Sequence, residues 1–203
     1  MITRIANPEG KGEVSMLDLL VNSLRMRPDR IIFGEIRRKR EAEVLFEAIH
    51  TGHSVYATIH ANDTAETITR LTTPPIDILK TLLPAISMVV VQYRNRRTGI
   101  RRTFQVSEIN PDSTPNVLLQ LDIKTGVMKK VSQSKSLLNT IEMFTGLSQQ
   151  SLFKSLKERE TVLKWLVKQG NNTVDGVGKI IAEYYTNKDN LMKYVLKNKK
   201  FEI

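Results

Sequence analysis

The sequence predicts an α/β fold in its first half and a mostly helical second half. A short apolar strand over residues 30–33, an amphipathic helix over residues 42–49 and a β-rich run over residues 54–59 follow one another closely. Strand, helix and strand in this order form a β-α-β unit, in which a right-handed crossover joins two strands of a parallel sheet. From Ser136 onward the apolar residues recur at helical spacing, which predicts helices to the end of the chain.

Local signals place the other elements around this unit. Before this unit, Ser15 is a typical N-cap for a helix that Pro28 ends. After it, Asp63 or Thr64 can cap the helix that follows the second strand. Two β-hairpins are predicted next, over residues 88–106 and 117–131. Further helices are expected from a cap at Ser148 and over residues 162–167, 174–185 and 189–198.

Length and composition limit the organisation and the class of protein. The 203 residues can hold one sizeable domain or two small ones, and a change of character near residue 110 predicts domains over 1–109 and 110–203. No stretch approaches the roughly 20 apolar residues of a membrane span, and the N-terminus lacks the apolar core of a signal peptide, so we expect a cytoplasmic chain. With no cysteine, disulfides and thiolate metal sites are excluded.

The net charge of +10 makes nucleic acid or an anionic membrane a reasonable partner on electrostatic grounds. The denser basic clusters are residues 37–40 and residues 94–102, and the second of them forms the turn of a predicted hairpin. Its aromatic neighbours are limited to Tyr93 and Phe104, too few for a base-stacking platform, so no specific nucleic acid is expected. Arginines on an edge hairpin would also discourage strand-to-strand aggregation or face acidic neighbours.

Two polar side chains follow the two predicted parallel strands. Glu35 comes directly after the first strand, and His60 follows the second. Because ligands of open α/β sheets bind beyond the carboxyl ends of the strands, both groups would stand at the ligand-binding edge. There a glutamate can orient and deprotonate water for attack on a phosphate, and a histidine can contact a phosphate oxygen. The structural alternatives are a surface glutamate paired with Arg37 and a histidine that caps the following helix.

A metal site is the other hypothesis for the histidines. His50 and His53 stand near His60 in sequence, but Gly52 interrupts a helical ligand face and no cysteine is available. Structural zinc is therefore disfavoured.

The segment LRMRPDRIIFGEIR, residues 24–37, resembles the Walker B region of the type II/type IV secretion ATPase superfamily, which includes pilus and archaeal flagellum assembly motors. The segments TGH at 51–53 and ATIHAN at 57–62 resemble the His box of the same family, and Arg70 with Leu71 matches a frequent pair. The resemblance covers residues 12–107 and is strongest to archaeal-type members, because of the PPI turn and the arginine-rich hairpin.

This resemblance implies the C-terminal part of a RecA-like P-loop ATPase core, followed by a helical extension. It makes Glu35 the catalytic glutamate, which also helps to hold Mg²⁺ through water, and His60 the sensor of the γ-phosphate. Gly34 stands where other P-loop ATPases often carry an aspartate. Arg25, Arg27 and Arg37 fall on recurrent family arginines that could assist nucleotide binding, pack locally or serve a subunit interface.

The P-loop motif G-x-x-x-x-G-K-[S/T] does not occur in the 203 residues. We therefore expect ATP and Mg²⁺ to act only in an intact parent protein, with no tight cofactor and no activity in this chain alone. The resemblance implies a homohexamer at the inner face of the cell membrane, working with a membrane platform protein to drive secretion or filament assembly. A severed core would expose apolar sheet surface, which a dimer of the isolated chain could cover. The alternative functions are a short non-catalytic assembly subunit and, less favoured, a nucleic-acid-binding protein.

Overall fold

The β-α-β unit forms as the sequence pattern predicts. The computed structural model describes residues 2–201, and in it strand β1 (Arg30–Phe33) and strand β2 (Ser54–Ala57) pair in parallel. Helix α2 (Lys39–His50) connects them. The register sets Arg30 opposite Ser54 and Phe33 opposite Ala57, so both strands end at the same edge. The α/β class is confirmed.

One face of this two-stranded sheet is buried and the other is open. Helix α1 (Met16–Arg25), which Ser15 and Asp18 start with a reciprocal capping box, packs with α2 on the inner face. The core they form contains Leu20, Ile31, Phe33, Val44, Leu45 and Ala48. On the outer face, the side chains of Ile32 and Tyr56 are 84% and 58% exposed.

A second layer lies on the opposite side of α2. It contains helix α3 (Thr64–Thr72), a 3₁₀ helix (Lys80–Ala85) and a four-stranded antiparallel sheet. The strands of that sheet, in spatial as well as sequence order, are β3 (Val89–Arg94), β4 (Arg101–Ile109), β5 (Pro115–Asp122) and β6 (Val127–Lys130). The core of this layer comprises Ala42, Phe46, Leu71, Ile76, Ile78, Leu83 and Ile109. Because α2 contributes apolar residues to both cores, it is the central helix of the unit.

The chain divides into two compact units, the first ending at Leu137 and the second beginning at Leu138. This boundary lies later than the predicted one near residue 110. The physical reason is that β5 pairs with β4 along most of its length, with Gln120 opposite Gln105, so the second hairpin joins the sheet of the first. The two predicted hairpins are therefore one continuous antiparallel sheet.

The second unit is helical, as predicted. Helix α4 (Ser136–Thr145) leads into it from the end of the first unit, followed by α5 (Gln149–Lys168), α6 (Val174–Thr186) and α7 (Lys188–Leu196). Its core is formed by Val162, Trp165, Leu166, Ile180, Leu191 and Val195. None of the helices within residues 2–201 is both long and apolar enough to cross a membrane.

A buried carboxylate, Glu108 on β4, fixes the point where the sheet gives way to α4. Its side chain is 1% exposed and accepts hydrogen bonds from the backbone N–H groups of Lys135 and Leu137 at 2.7 and 3.0 Å. Asn116 and Ser134 donate from their side chains at 2.8 and 2.9 Å. Burial alone would raise the pKa of Glu108, but these donors outweigh it and lower the pKa to about 2.

Stability should depend on the charge of Glu108. The native carboxylate stays ionised down to about pH 2, whereas the unfolded one protonates near 4.5. The ionised Glu108 therefore contributes on the order of 3 kcal/mol to the free energy of unfolding above about pH 5, and this contribution is lost as the pH falls towards 2. Glu108→Gln should lower the free energy of unfolding in urea by a similar amount at pH 7 and flatten its dependence on acid pH.

Glu9→Gln is the control, because Glu9 is exposed. An acid dependence as steep in Glu108→Gln as in the unsubstituted chain would contradict this assignment.

Candidate active site at the ends of the parallel strands

The pairing of β1 with β2 continues past the last residues of both strands. The backbone N–H of Ile36 donates to the carbonyl of Thr58 at 2.9 Å, and the Thr58 hydroxyl donates to the carbonyl of Gly34. Glu35 lies between the two bonded residues of the first segment, and His60 follows Thr58 in the second. The predicted alignment of the two strand ends is thus present in the backbone.

This alignment brings the side chains of Glu35 and His60 together. Oε1 of Glu35 lies 3.3 Å from Nε2 of His60. Oε2 of the same carboxylate contacts the guanidinium of Arg37, at 2.6 Å from Nη2 and 2.8 Å from Nε. The Glu35 side chain is 23% exposed, whereas that of His60 is 85% exposed, so the site is open to a ligand from the histidine side.

Arg37 stabilises the ionised form of Glu35. Its hydrogen bond is the main cause that lowers the pKa of Glu35; partial burial opposes the shift, and the charges of Arg37 and His60 add to it. Glu35 is therefore an ionised carboxylate at neutral pH, with one oxygen held by Arg37 and the other facing His60. The structural alternative, a glutamate paired with Arg37, and the predicted meeting with His60 are both present in the same geometry.

The loop that carries Arg37 is fixed by the start of α2. Oε2 of Glu41 accepts the backbone N–H groups of Arg37 and Arg38 at 3.0 and 3.1 Å. Sequence analysis assigned no role to Glu41 or to the Thr58 hydroxyl. Glu41 occupies the capping-box position three residues after the N-cap, but Arg38 stands at the N-cap in place of the serine or threonine by which that pattern is recognised in a sequence.

The segment that carries His60 is held by α3 and by the antiparallel sheet. Oε2 of Glu66 accepts from the backbone and the side-chain amide of Asn62, both at 2.8 Å, and the Asp63 side chain caps α3. One residue later, the backbone N–H and hydroxyl of buried Thr64 donate to Oε1 of Gln105 on β4, at 2.9 and 2.6 Å. His60 is thus highly exposed but precedes a firmly anchored helix start.

The remaining candidate residues lie elsewhere. Arg25 and Arg27 are exposed and precede β1, so they stand at the strand end opposite to Glu35. Nδ1 of His50 lies 2.7 Å from the Phe46 carbonyl, and Nδ1 of His53 lies 3.2 Å from the Thr51 hydroxyl. Over the described range 2–201, no three His, Cys, Asp or Glu side chains form a group that could hold a metal.

The geometry suits chemistry on a water molecule beside an anionic ligand. An ionised carboxylate can accept a proton from water, and an adjacent exposed imidazole N–H can donate to a phosphate oxygen. Mg²⁺ in nucleotide sites is usually held by one or two carboxylates together with waters and the phosphates themselves. The carboxylate of Glu35 could contribute to such a set of Mg²⁺ ligands through a bound water, but it could not complete the set alone.

Replacement of Arg37 should release the carboxylate it holds. In Arg37→Ala we expect the pKa of Glu35 to rise towards its ordinary value, because the main cause of its lowering is removed. Carbon-13 NMR titration of the Glu35 carboxyl group measures this directly. Arg40→Ala is the matched control, since Arg40 pairs with Glu43. A Glu35 pKa unchanged in Arg37→Ala, or raised equally in Arg40→Ala, would contradict the assignment.

Comparison with known proteins extends these observations. The family model described as "Type II/IV secretion system protein" matches residues 2–106. An uncharacterised protein of Methanocaldococcus jannaschii is 35% identical over 179 residues, which cover 85% of this chain and 66% of that protein. The type IV pilus assembly ATPase PilB of Thermus thermophilus is 43% identical over 72 residues, covering 34% of this chain and 8% of PilB. Among solved structures, the Legionella pneumophila ATPase DotB is similar with a TM-score of 0.36 and 19% identity, over 83% of this chain and 42% of that one.

The matched range contains both strand ends and the whole β-α-β unit. It ends at residue 106, near the end of β4. The chain spans under two thirds of the relatives' lengths, from 66% of the M. jannaschii protein to 8% of PilB. On the family match over half of its residues, this chain belongs to the type II/IV secretion system protein family.

Proposed function

We propose that this chain supplies the water-activating half of an ATPase site, in a hexameric motor that powers type II/IV secretion or the assembly of a pilus or flagellum. The observation that carries the proposal is the Glu35–His60 pair at the aligned ends of β1 and β2. Family membership supports it, since relatives of this chain include ATPases by name.

In the proposed mechanism, Oε1 of Glu35 accepts a proton from the attacking water. Arg37 fixes the orientation of the carboxylate through Oε2 and further stabilises its ionised form. The exposed Nε2 of His60 donates a hydrogen bond to an oxygen of the γ-phosphate and so responds to the presence of that phosphate. When ATP and Mg²⁺ are bound, ATP would supply the phosphoryl group and Mg²⁺ would neutralise the charge of the phosphates.

The phosphate-holding part of the site is proposed to come from a P-loop segment outside these 203 residues. A P-loop cradles phosphates with consecutive backbone N–H groups and a lysine, and no such motif occurs in this sequence. We propose accordingly that the isolated chain is inactive, and that the working motor lies against the inner face of the cell membrane with a platform protein as partner.

The isolated chain should bind ATP·Mg²⁺ weakly or not at all, because Glu35 and His60 offer few contacts to the phosphates. Isothermal titration calorimetry and a phosphate-release assay on this chain test the point. Micromolar affinity together with turnover would contradict the proposed division of the site.

Glu35→Gln tests the catalytic role in a polypeptide that joins this chain to a P-loop segment. Hydrolysis should fall by at least about 100-fold while nucleotide affinity is retained, because the amide keeps the shape of the side chain but cannot accept the proton. Glu43→Gln is the matched control, since Glu43 lies on α2 and pairs with Arg40. Turnover retained in Glu35→Gln would remove Glu35 from the mechanism.

A further inference from the structure

One end of the antiparallel sheet carries an unusual concentration of positive charge. Five arginines stand within residues 94–102, a segment that contains no acidic residue, and all five are exposed: Arg94, Arg96, Arg97, Arg101 and Arg102. The register sets Arg94 directly opposite Arg101 across the hairpin. Like charges in that position destabilise a sheet, so stability of the isolated hairpin does not explain the arrangement.

The positive charge of these arginines is little offset by negative charge elsewhere in the described chain. In the part of the molecule described, residues 2–201, no ion pair joins any of the five to a carboxylate. Glu108 is the first acidic residue that follows them, and it is buried with its oxygens committed to the start of α4. The positive charge is thus available to an external anion.

The hairpin turn that displays the charge is well defined. The backbone N–H of Asn95 donates to the Ile100 carbonyl at 2.9 Å, and its side-chain oxygen accepts the N–H groups of Arg97 and Thr98 at 2.9 and 3.1 Å. Gly99 completes the turn with a φ of +71°, in the region that favours glycine. Arg96 and Arg97 are therefore held at the tip of the sheet.

The turn between β5 and β6 lies beside this tip and adds apolar groups to it. Nη1 of Arg102, at the start of β4, donates to the Gly126 carbonyl in this second turn at 2.6 Å. Both turns carry exposed aliphatic side chains, with Ile100 at 49%, Ile123 at 58% and Val127 at 56% exposure. We define the basic tip as residues 94–102 together with 123–127, which also include exposed Lys124.

Guanidinium groups mixed with exposed aliphatic side chains fit a lipid surface better than a nucleic acid. Phosphate headgroups attract the cations, and aliphatic side chains gain by insertion at the boundary of the acyl chains. Surfaces that bind single-stranded nucleic acid instead use aromatic rings for stacking. The nearest rings here, Tyr93 and Phe104, are half-buried and pack on each other with centroids 6.0 Å apart.

We propose that the basic tip docks onto an anionic lipid bilayer. The proposed function places the motor at the inner face of the cell membrane, and this inference names the surface that would touch that membrane. It rests on the proposed function only for the identity of the membrane. Binding to lipid requires no nucleotide, so failure of this proposal would leave ATP hydrolysis standing, and failure of hydrolysis would leave lipid binding standing.

Sedimentation of the full chain with vesicles tests the proposal. Vesicles of phosphatidylglycerol mixed with phosphatidylcholine should bind the chain, and vesicles of phosphatidylcholine alone should not. The variant Arg96→Ala/Arg97→Ala should bind about 25-fold more weakly, at about fivefold for each charge near an anionic surface. Ile100→Ser/Ile123→Ser should weaken vesicle binding without affecting any binding of a single-stranded oligonucleotide.

The matched control is Lys193→Ala/Lys200→Ala, which removes the same charge from exposed positions of the second unit. Circular dichroism shows whether each variant is folded, and Arg96→Gln/Arg97→Gln replaces the alanine pair if that pair unfolds. Four results would overturn the proposal: no binding to anionic vesicles, equal binding to neutral ones, an equal loss in the lysine control, or displacement from vesicles by an oligonucleotide whose own binding needs Arg96 and Arg97.

Discussion

The candidate site depends on one backbone interaction beyond the regular sheet, the hydrogen bond from Ile36 N–H to the Thr58 carbonyl. Without it, β1 and β2 would still pair from Arg30 to Phe33, but the segments that follow would be free to separate. With it, and with the Thr58 hydroxyl on the Gly34 carbonyl, the two segments leave the sheet side by side. The 3.3 Å approach of Glu35 to His60 is a consequence of that geometry.

Much of this arrangement could be predicted from the sequence, because its causes are local. An apolar strand that ends in Gly34-Glu35 and a second strand that ends near His60 are visible as patterns, and parallel pairing follows from the helix between them. The same reasoning could not find the part of Glu41, which depends on the loop that Arg37 occupies. Nor could it distinguish a glutamate paired with Arg37 from one that meets His60, since the two carboxylate oxygens allow both contacts.

Long-range contacts explain why the domain boundary and the role of Glu108 in the structure differ from what the sequence pattern suggests. The change of character near residue 110 predicts a boundary there, whereas β5 continues the sheet of β4 and the first unit ends at Leu137. The role of Glu108 also depends on long-range contacts. An acidic residue at the end of a predicted strand looks ordinary in sequence, and only the fold shows that it receives the backbone N–H groups of Lys135 and Leu137.

The central claim is that the strand ends are held together firmly enough to position Glu35 against His60. Amide hydrogen exchange of Ile36, followed by NMR, measures that interaction directly. If the bond to Thr58 is as stable as the ladder between β1 and β2, the Ile36 amide should exchange as slowly as the protected amides of those strands. Exchange of Ile36 at the rate of an open loop, while the strand amides stay protected, would contradict the account.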